Sequence, residues 1–309
     1  MMSWTATLPF KAVAAGIVAT GLLLWADKTM PHVGVWALLL LSVSVGFVHG
    51  ALDAVLLPQR FASRAQVGGM FLAYLVLVLL LGWVFSAAVS VALWALLLMS
   101  AWHFGEPYGR WDGLAAWQSG LTRIVVGGAP VMLPVWLAPD QLAVILQNVV
   151  PAAGVQGWHV MAWVWLGLAG LWVLLCGARR MQTLRYAWLE LMGCMVTYAL
   201  LSPLMAFAVY FGIYHAPVHV WRVWRACDGV AQNLSGRAVS VIAAVALTTA
   251  ITWLLGGALW WFTATGEVAA TDWSAALRWL IVVFAALTAP HLVLISLCAA
   301  FLTRPELDR

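Results

Sequence analysis

The run VGGMFLAYLVLVLLLGWVFSAAVSVALWALLLMSAWHFG, residues 67–105, carries no Asp, Glu, Lys or Arg. A helix needs ~20 mostly apolar residues to cross the hydrocarbon layer of a bilayer. The run therefore holds two crossings back to back, with the reversal expected at Ser86. Working outward, the same criterion places spans at about 9–26, 33–57, 67–86, 87–105, 115–137, 158–177, 185–201, 203–222, 238–262 and 275–301. The seventh and eighth also run together, and the Ser202-Pro203 step marks their turn. The fifth is the least regular, since Arg123, Gly127, Gly128, Pro130 and Pro134 interrupt it. The longest stretch without a span is about 138–157. Another span follows 9–26 at once, so a first membrane helix is expected there rather than a cleavable signal peptide.

Composition agrees with this reading. Hydrophobic residues make up 65% of the 309-residue chain and charged residues 8%, with a mean hydropathy of +0.98. Soluble globules carry about 25% charged residues, so this chain could not wet its own surface. The expectation is an all-α fold: a polytopic transmembrane helical bundle of about ten spans, forming a single integral membrane domain over 1–309. A soluble nucleotide-binding fold and a disordered hub are excluded. The balance of 15 Lys+Arg against 11 Asp+Glu is too sparse for a phosphate-tracking surface, so no nucleic-acid partner is expected. Cys176, Cys194, Cys227 and Cys298 lie far apart without a CxxC pair and read as small buried apolar residues.

Cationic loops face the cytoplasm. With the N-terminus inside and ten alternating spans, Lys11, Arg60, Arg64, Arg110, Arg179, Arg180, Arg185, Arg222, Arg225, Arg237, Arg304 and Arg309 fall on the inner side. Only Lys28 and Arg278 fall outside. Both termini are therefore expected in the cytoplasm. On that topology spans two, four, eight and ten run inward, and His49, His103, His215, His219 and His291 share the inner half of the bilayer. His32 and His159 lie near the outer surface.

Polar residues at such depth are costly and usually functional. A single intramembrane histidine more often bonds a neighbouring helix; five together, two of them spaced i,i+4 as His215 and His219 are, favour a shared metal or haem. Imidazole suits iron, copper, zinc or nickel. Asp53, one turn after His49, and Glu106, three residues after His103, could each orient a ligating ring through its second nitrogen. The alternatives are a backbone hydrogen bond for Asp53 and, because Pro107 follows, helix termination for Glu106. Arg123 either snorkels to the cytoplasmic side or pairs with one of these acids, and snorkelling is the expectation. Many of the 21 tryptophans fall near span ends, including Trp25, Trp111, Trp136, Trp158, Trp221, Trp224, Trp260, Trp261 and Trp273, as interfacial belts do. Trp94, Trp102 and Trp188 lie within spans, where a cavity wall for a long apolar ligand and a lipid-facing position are both open.

Read together, Gly-Phe-Val-His-Gly-Ala-Leu-Asp (46–53), Trp-His-Phe-Gly (102–105), Tyr-Phe-Gly-Ile-Tyr-His-Ala-Pro-Val-His (210–219) and Pro-His (290–291) resemble the Brp/Blh family of membrane β-carotene 15,15′-dioxygenases. Val218 stands where that family commonly has Arg, and Glu106-Pro107 where an Asp often follows the His-Phe-Gly segment. The resemblance implies an oxidoreductase in which Fe(II) cleaves the central double bond of β-carotene with O₂ to give retinal. It implies that His49, His103, His215 and His219 are the iron ligands that carry catalysis, with His291 a further ligand or a supporting ring. It leaves Asp53 and Glu106 to orient the ligands, and Trp102, Tyr210 and Tyr214 as candidates for substrate contact. It further implies a multi-pass protein of a bacterial inner membrane, surrounded by lipid and functionally linked to a microbial rhodopsin. Three other readings use the same histidines: a bis-histidine haem electron carrier, a proton or metal transporter, and a related carotenoid or lipid oxidase with a di-iron centre.

Overall fold

The computed structural model of the chain describes residues 14–22, 24, 44–46, 48–53, 63–108, 114–147, 150, 156–177, 184–231, 246, 249–250, 254 and 273–302. Regular structure among these residues is entirely helical. The helices with defined bounds are α1 (Arg64–Ala87), α2 (Val89–Phe104), α3 (Ala116–Leu137), α4 (Pro139–Gln147), α5 (Gln156–Trp172), α6 (Arg185–Leu200), α7 (Pro203–Val209), α8 (Ala216–Ala231) and α9 (Trp273–Leu302). A 3₁₀ turn, Glu106–Tyr108, follows α2. Two π segments extend the α-helices: Val173–Gly177 after α5, and Tyr210–His215 between α7 and α8.

Four helical stretches among the described residues are long and apolar enough to cross a membrane: Ala65–Ala87, Ala116–Leu137, Gly157–Cys176 and Pro203–Val223. Val89–Phe104 and Ile281–Leu297 are shorter apolar helices. The expected spans at 33–57 and 238–262 lie largely outside the described residues, the span at 9–26 is described over 14–22 and 24, where it is helical, and His32 lies outside them. The reversal expected at Ser86 occurs two residues later. The Ser86 hydroxyl donates back to the Trp83 carbonyl at 2.7 Å, and the helix breaks at Ala88. α1 begins in a capping box, where the Gln66 amide donates to Ser63 Oγ and the Ser63 amide to Gln66 Oε1. Ser202 is the N-cap of α7, with Pro203 in its first turn, where a missing N–H costs nothing. The stretch 138–157, expected to hold no span, contains the short helix α4.

The chain divides into two compact units, one of residues 1–43 and 97–218, the other of 44–96 and 219–309. In the second, α9 packs against α1, with Gly82 meeting Ala286 as small residues do where membrane helices approach closely. Only 6% of the apolar window of α1 is covered by protein. Leu72, Leu79 and Trp83 stand outward, a surface that only a lipid environment suits.

In the first unit α3 is the central helix, packed by α5, α6 and the 3₁₀ turn, with 67% of its apolar window buried. That burial explains the residues that made 115–137 irregular as a lipid-facing helix. A side chain at Gly127 would collide with the backbone of Ala101 and Gly105, and one at Gly105 with the Arg123 carbonyl. The glycines thus let α2 and α3 touch backbone to backbone. Pro134 has no N–H, so the helix offers no donor to the Pro130 carbonyl; Tyr198, from α6, supplies one at 2.7 Å. Trp165 donates to the Val125 carbonyl at 3.1 Å, and Trp172 to Thr122 Oγ1 at 2.9 Å. Arg123 lies with its guanidinium 3.7 Å from the centroid of Trp102. Its Nε donates to the Trp102 carbonyl, and it is within electrostatic reach of Glu106. Its charge is therefore met by an aromatic face and a carbonyl as well as by whatever reach it has to the membrane surface. Cys176 and Cys194 are buried, as expected, and neither is in a disulfide.

Leaving a buried carbonyl without its donor costs about 1–3 kcal/mol. Tyr198→Phe should therefore lower the unfolding temperature of the detergent-solubilised protein by several degrees while preserving its helical circular dichroism. An unchanged melting curve would show that the Pro130 carbonyl needs no such donor.

Candidate metal centre

His49 and Asp53 are four residues apart on the helical stretch 48–53, and so share a face. In the same unit α8 brings His219 to this face and α9 brings His291. The His49 ring centroid lies 4.1 Å from that of His219 and 5.0 Å from that of His291. His219 and His291 are 5.4 Å apart. All three residues are at most 5% exposed. His49 and His219 offer ring nitrogens within 4.8 Å of one another. Two nitrogens that each bind one ion at ~2.1 Å are at most ~4.2 Å apart, so the pair is close enough that it could hold a metal ion.

The trio is fastened from behind. His291 Nδ1 lies 2.8 Å from Asp53 Oδ1, and the Tyr74 hydroxyl of α1 donates to Asp53 Oδ2 at 2.8 Å. Asp53 itself is buried. A carboxylate that accepts a ring N–H fixes which imidazole nitrogen stays basic, the usual support for a metal-ligating histidine. Here the support reaches His291 rather than His49, the ring to which its sequence position pointed.

The first unit holds the other two histidines. His103, at the end of α2, and His215, closing the π segment, are buried with ring centroids 4.9 Å apart. Phe104 packs edge-on against His215 at 4.6 Å, and Phe211 lies nearly parallel to it at 6.0 Å. Aromatic rings thus flank the His215 imidazole on these sides. π turns concentrate at functional sites, and this one delivers His215 four residues before His219. Buried imidazoles backed by one carboxylate are a donor set that could bind a transition metal.

The other candidates take varied places. Glu106 opens the 3₁₀ turn, partly exposed. Trp102 is 48% exposed and carries Arg123. Tyr210 and Tyr214 are buried, their hydroxyls directed to Glu190 and to Thr197. His159 is exposed. Two participants escaped the reading of the sequence. Tyr74 looks like any aromatic in an apolar helix. Glu190, the one carboxylate within 185–201, was legible as a charge at membrane depth.

Three comparisons bear on the chain. The family profile described as beta-carotene 15,15'-dioxygenase matches residues 40–299. The chain is 27% identical over 289 residues to the beta-carotene 15,15'-dioxygenase of an uncultured marine bacterium, covering 89% of this chain and 96% of the relative. It is 27% identical over 286 residues to the probable beta-carotene 15,15'-dioxygenase Blh of Halobacterium salinarum, covering 82% and 81%. No solved structure matches.

Losing the group that orients a ligating ring typically weakens metal binding ~10–100-fold. Asp53→Leu should do so here, and Tyr74→Phe should have a smaller effect in the same direction. Titration of the purified protein with a divalent transition metal checks both. Wild-type affinity in Asp53→Leu would detach the carboxylate from any metal role.

Proposed function

The chain belongs to the β-carotene 15,15′-dioxygenase family, and we propose that it splits the central double bond of β-carotene with O₂ at a ferrous ion held by His49, His103, His215 and His219. His291 is a fifth ligand or the ring that orients the others. Each carbon of the broken double bond takes one oxygen atom, so one β-carotene and one O₂ become two molecules of retinal. The chain would sit in a bacterial inner membrane as one integral domain of about ten spans, both ends cytoplasmic. A microbial rhodopsin is a fitting consumer of its product.

What supports the iron site is the His49–His219–His291 trio with Asp53 behind it. Its ring centroids are 4.1–5.4 Å apart. A haem held between two imidazoles needs roughly 6 Å between ring centroids, so the spacing suits a bare ion better than a macrocycle. That His215 precedes His219 by one turn of the same helical run supports counting His215, and His103 whose ring lies 4.9 Å from it, among the proposed ligands. When bound, iron would supply the activation of O₂ that a hydrocarbon without acidic or basic groups cannot provoke.

The remaining work falls to the chain. Phe104, Phe211 and Tyr210 make the surroundings of His215 apolar, as a polyene requires, and keep water from the reaction. Asp53 accepts the Nδ1 proton of His291, leaving Nε2 as the donor a metal would take. Lipid outside α1 is the solvent from which a C40 hydrocarbon would arrive.

Expression in a carotene-accumulating bacterium tests the reading directly: the cells should bleach and accumulate retinal. His49→Ala and His219→Ala should abolish this, while His159→Ala should leave it within twofold or so of wild type. Chelation of the purified protein should remove activity and ferrous ion restore it. Retinal formation by a metal-free protein, or a strong Soret band, would overturn the proposal.

A further inference from the structure

We infer that Glu190 is a positioning residue that ties the segment carrying His103 to the segment carrying His215; the inference rests on the ligand set proposed above. Its two carboxylate oxygens are used separately. The Tyr108 hydroxyl donates to Oε2 at 2.5 Å, and the Tyr210 hydroxyl to Oε1 at 3.1 Å. Tyr108 lies five residues after His103, on the 3₁₀ turn that continues α2; Tyr210 lies five residues before His215, at the start of the π segment. One carboxylate on α6 thus grips both histidine-bearing segments at equal sequence distance from their histidines.

The grip is transmitted by rings. Tyr210 lies nearly parallel to the His215 imidazole, at an interplanar angle of 19° and 6.3 Å between centroids. Phe104, next to His103, packs edge-on against both Tyr210, at 5.2 Å, and His215, at 4.6 Å. Both tyrosines are buried, so neither hydroxyl can trade Glu190 for bulk water. Two hydrogen bonds from different segments, one to each oxygen of the same carboxyl group, fix that group in place. With Glu190 removed, Tyr210 loses the partner that sets its ring plane, and the segments carrying His103 and His215 lose the carboxylate that ties them together. Glu190 touches neither imidazole; it acts through the tyrosines.

Cobalt(II) titration of the detergent-purified protein, followed by its visible ligand-field bands, separates positioning from stability. Glu190→Leu should weaken cobalt binding ~10–100-fold and alter the bands; kcat for β-carotene should fall with KM little changed. Glu190→Gln should restore most of the affinity, because an amide can accept from one tyrosine and donate to the other. Tyr108→Phe and Tyr210→Phe, which keep the ring volumes and serve if Glu190→Leu does not fold, should each shift affinity several-fold. Wild-type cobalt affinity and bands in the Glu190 variants, or in the Tyr108→Phe/Tyr210→Phe double variant, would overturn the inference whatever happened to thermal stability. A wild type that takes up cobalt while the variants behave identically overturns this inference alone. A wild type that takes up none overturns the metal site as well.

Discussion

A carboxylate held away from water has to be compensated where it stands, and Asp53 is compensated twice. Its two oxygens meet the Nδ1 of His291 and the hydroxyl of Tyr74, each at 2.8 Å. These partners come from α9 and α1, helices that pack against each other and meet at Gly82 and Ala286. Apolar packing between membrane helices is poorly directional, since lipid competes for the same surfaces. A charge-assisted pair is directional. The bond from Asp53 to His291 therefore sets the rotation of α9 about its axis, and with it the approach of the His291 ring to His49 and His219.

The helices were largely legible, and for a simple reason. Length and apolarity leave a membrane segment few alternatives, so expected spans at 67–86, 87–105 and 115–137 correspond to helices at Arg64–Ala87, Val89–Phe104 and Ala116–Leu137. Hydropathy cannot say which apolar helix faces lipid and which faces protein. The glycines and prolines of α3 are puzzling on a lipid-facing helix and ordinary on a central one, where Tyr198 serves the Pro130 carbonyl and Gly127 admits the α2 backbone. The irregularity of the segment was itself the sign of its burial.

The histidines were legible as polar residues within apolar stretches, and the resemblance of their motifs to one family was what grouped them. Their supports were less so. Asp53 was noticed for lying one turn from His49, yet its bond runs to a ring distant in the sequence. Tyr74 and Tyr108 carry no signal of their own, because a tyrosine in an apolar helix reads as bulk until its hydroxyl finds a carboxylate. Glu190 did carry a signal, a lone acid inside an apolar stretch, and weighing it as Asp53 was weighed would have found it.

The widened turn at Tyr210–His215 has a consequence for how this chain can vary. A π turn holds one residue more than the α turn it replaces, and each residue of an α-helix advances the azimuth by about 100°. A deletion within 210–215 could be absorbed by reversion to ordinary α pitch, leaving hydropathy and helix content almost untouched. Because the α turn and the π turn each close about one full revolution, the two flanks would stay nearly in phase, and only the residues within the turn would be re-aimed. A relative shortened there by one residue would thus keep both the helix and the phase of its flanks, with the change confined to the turn itself.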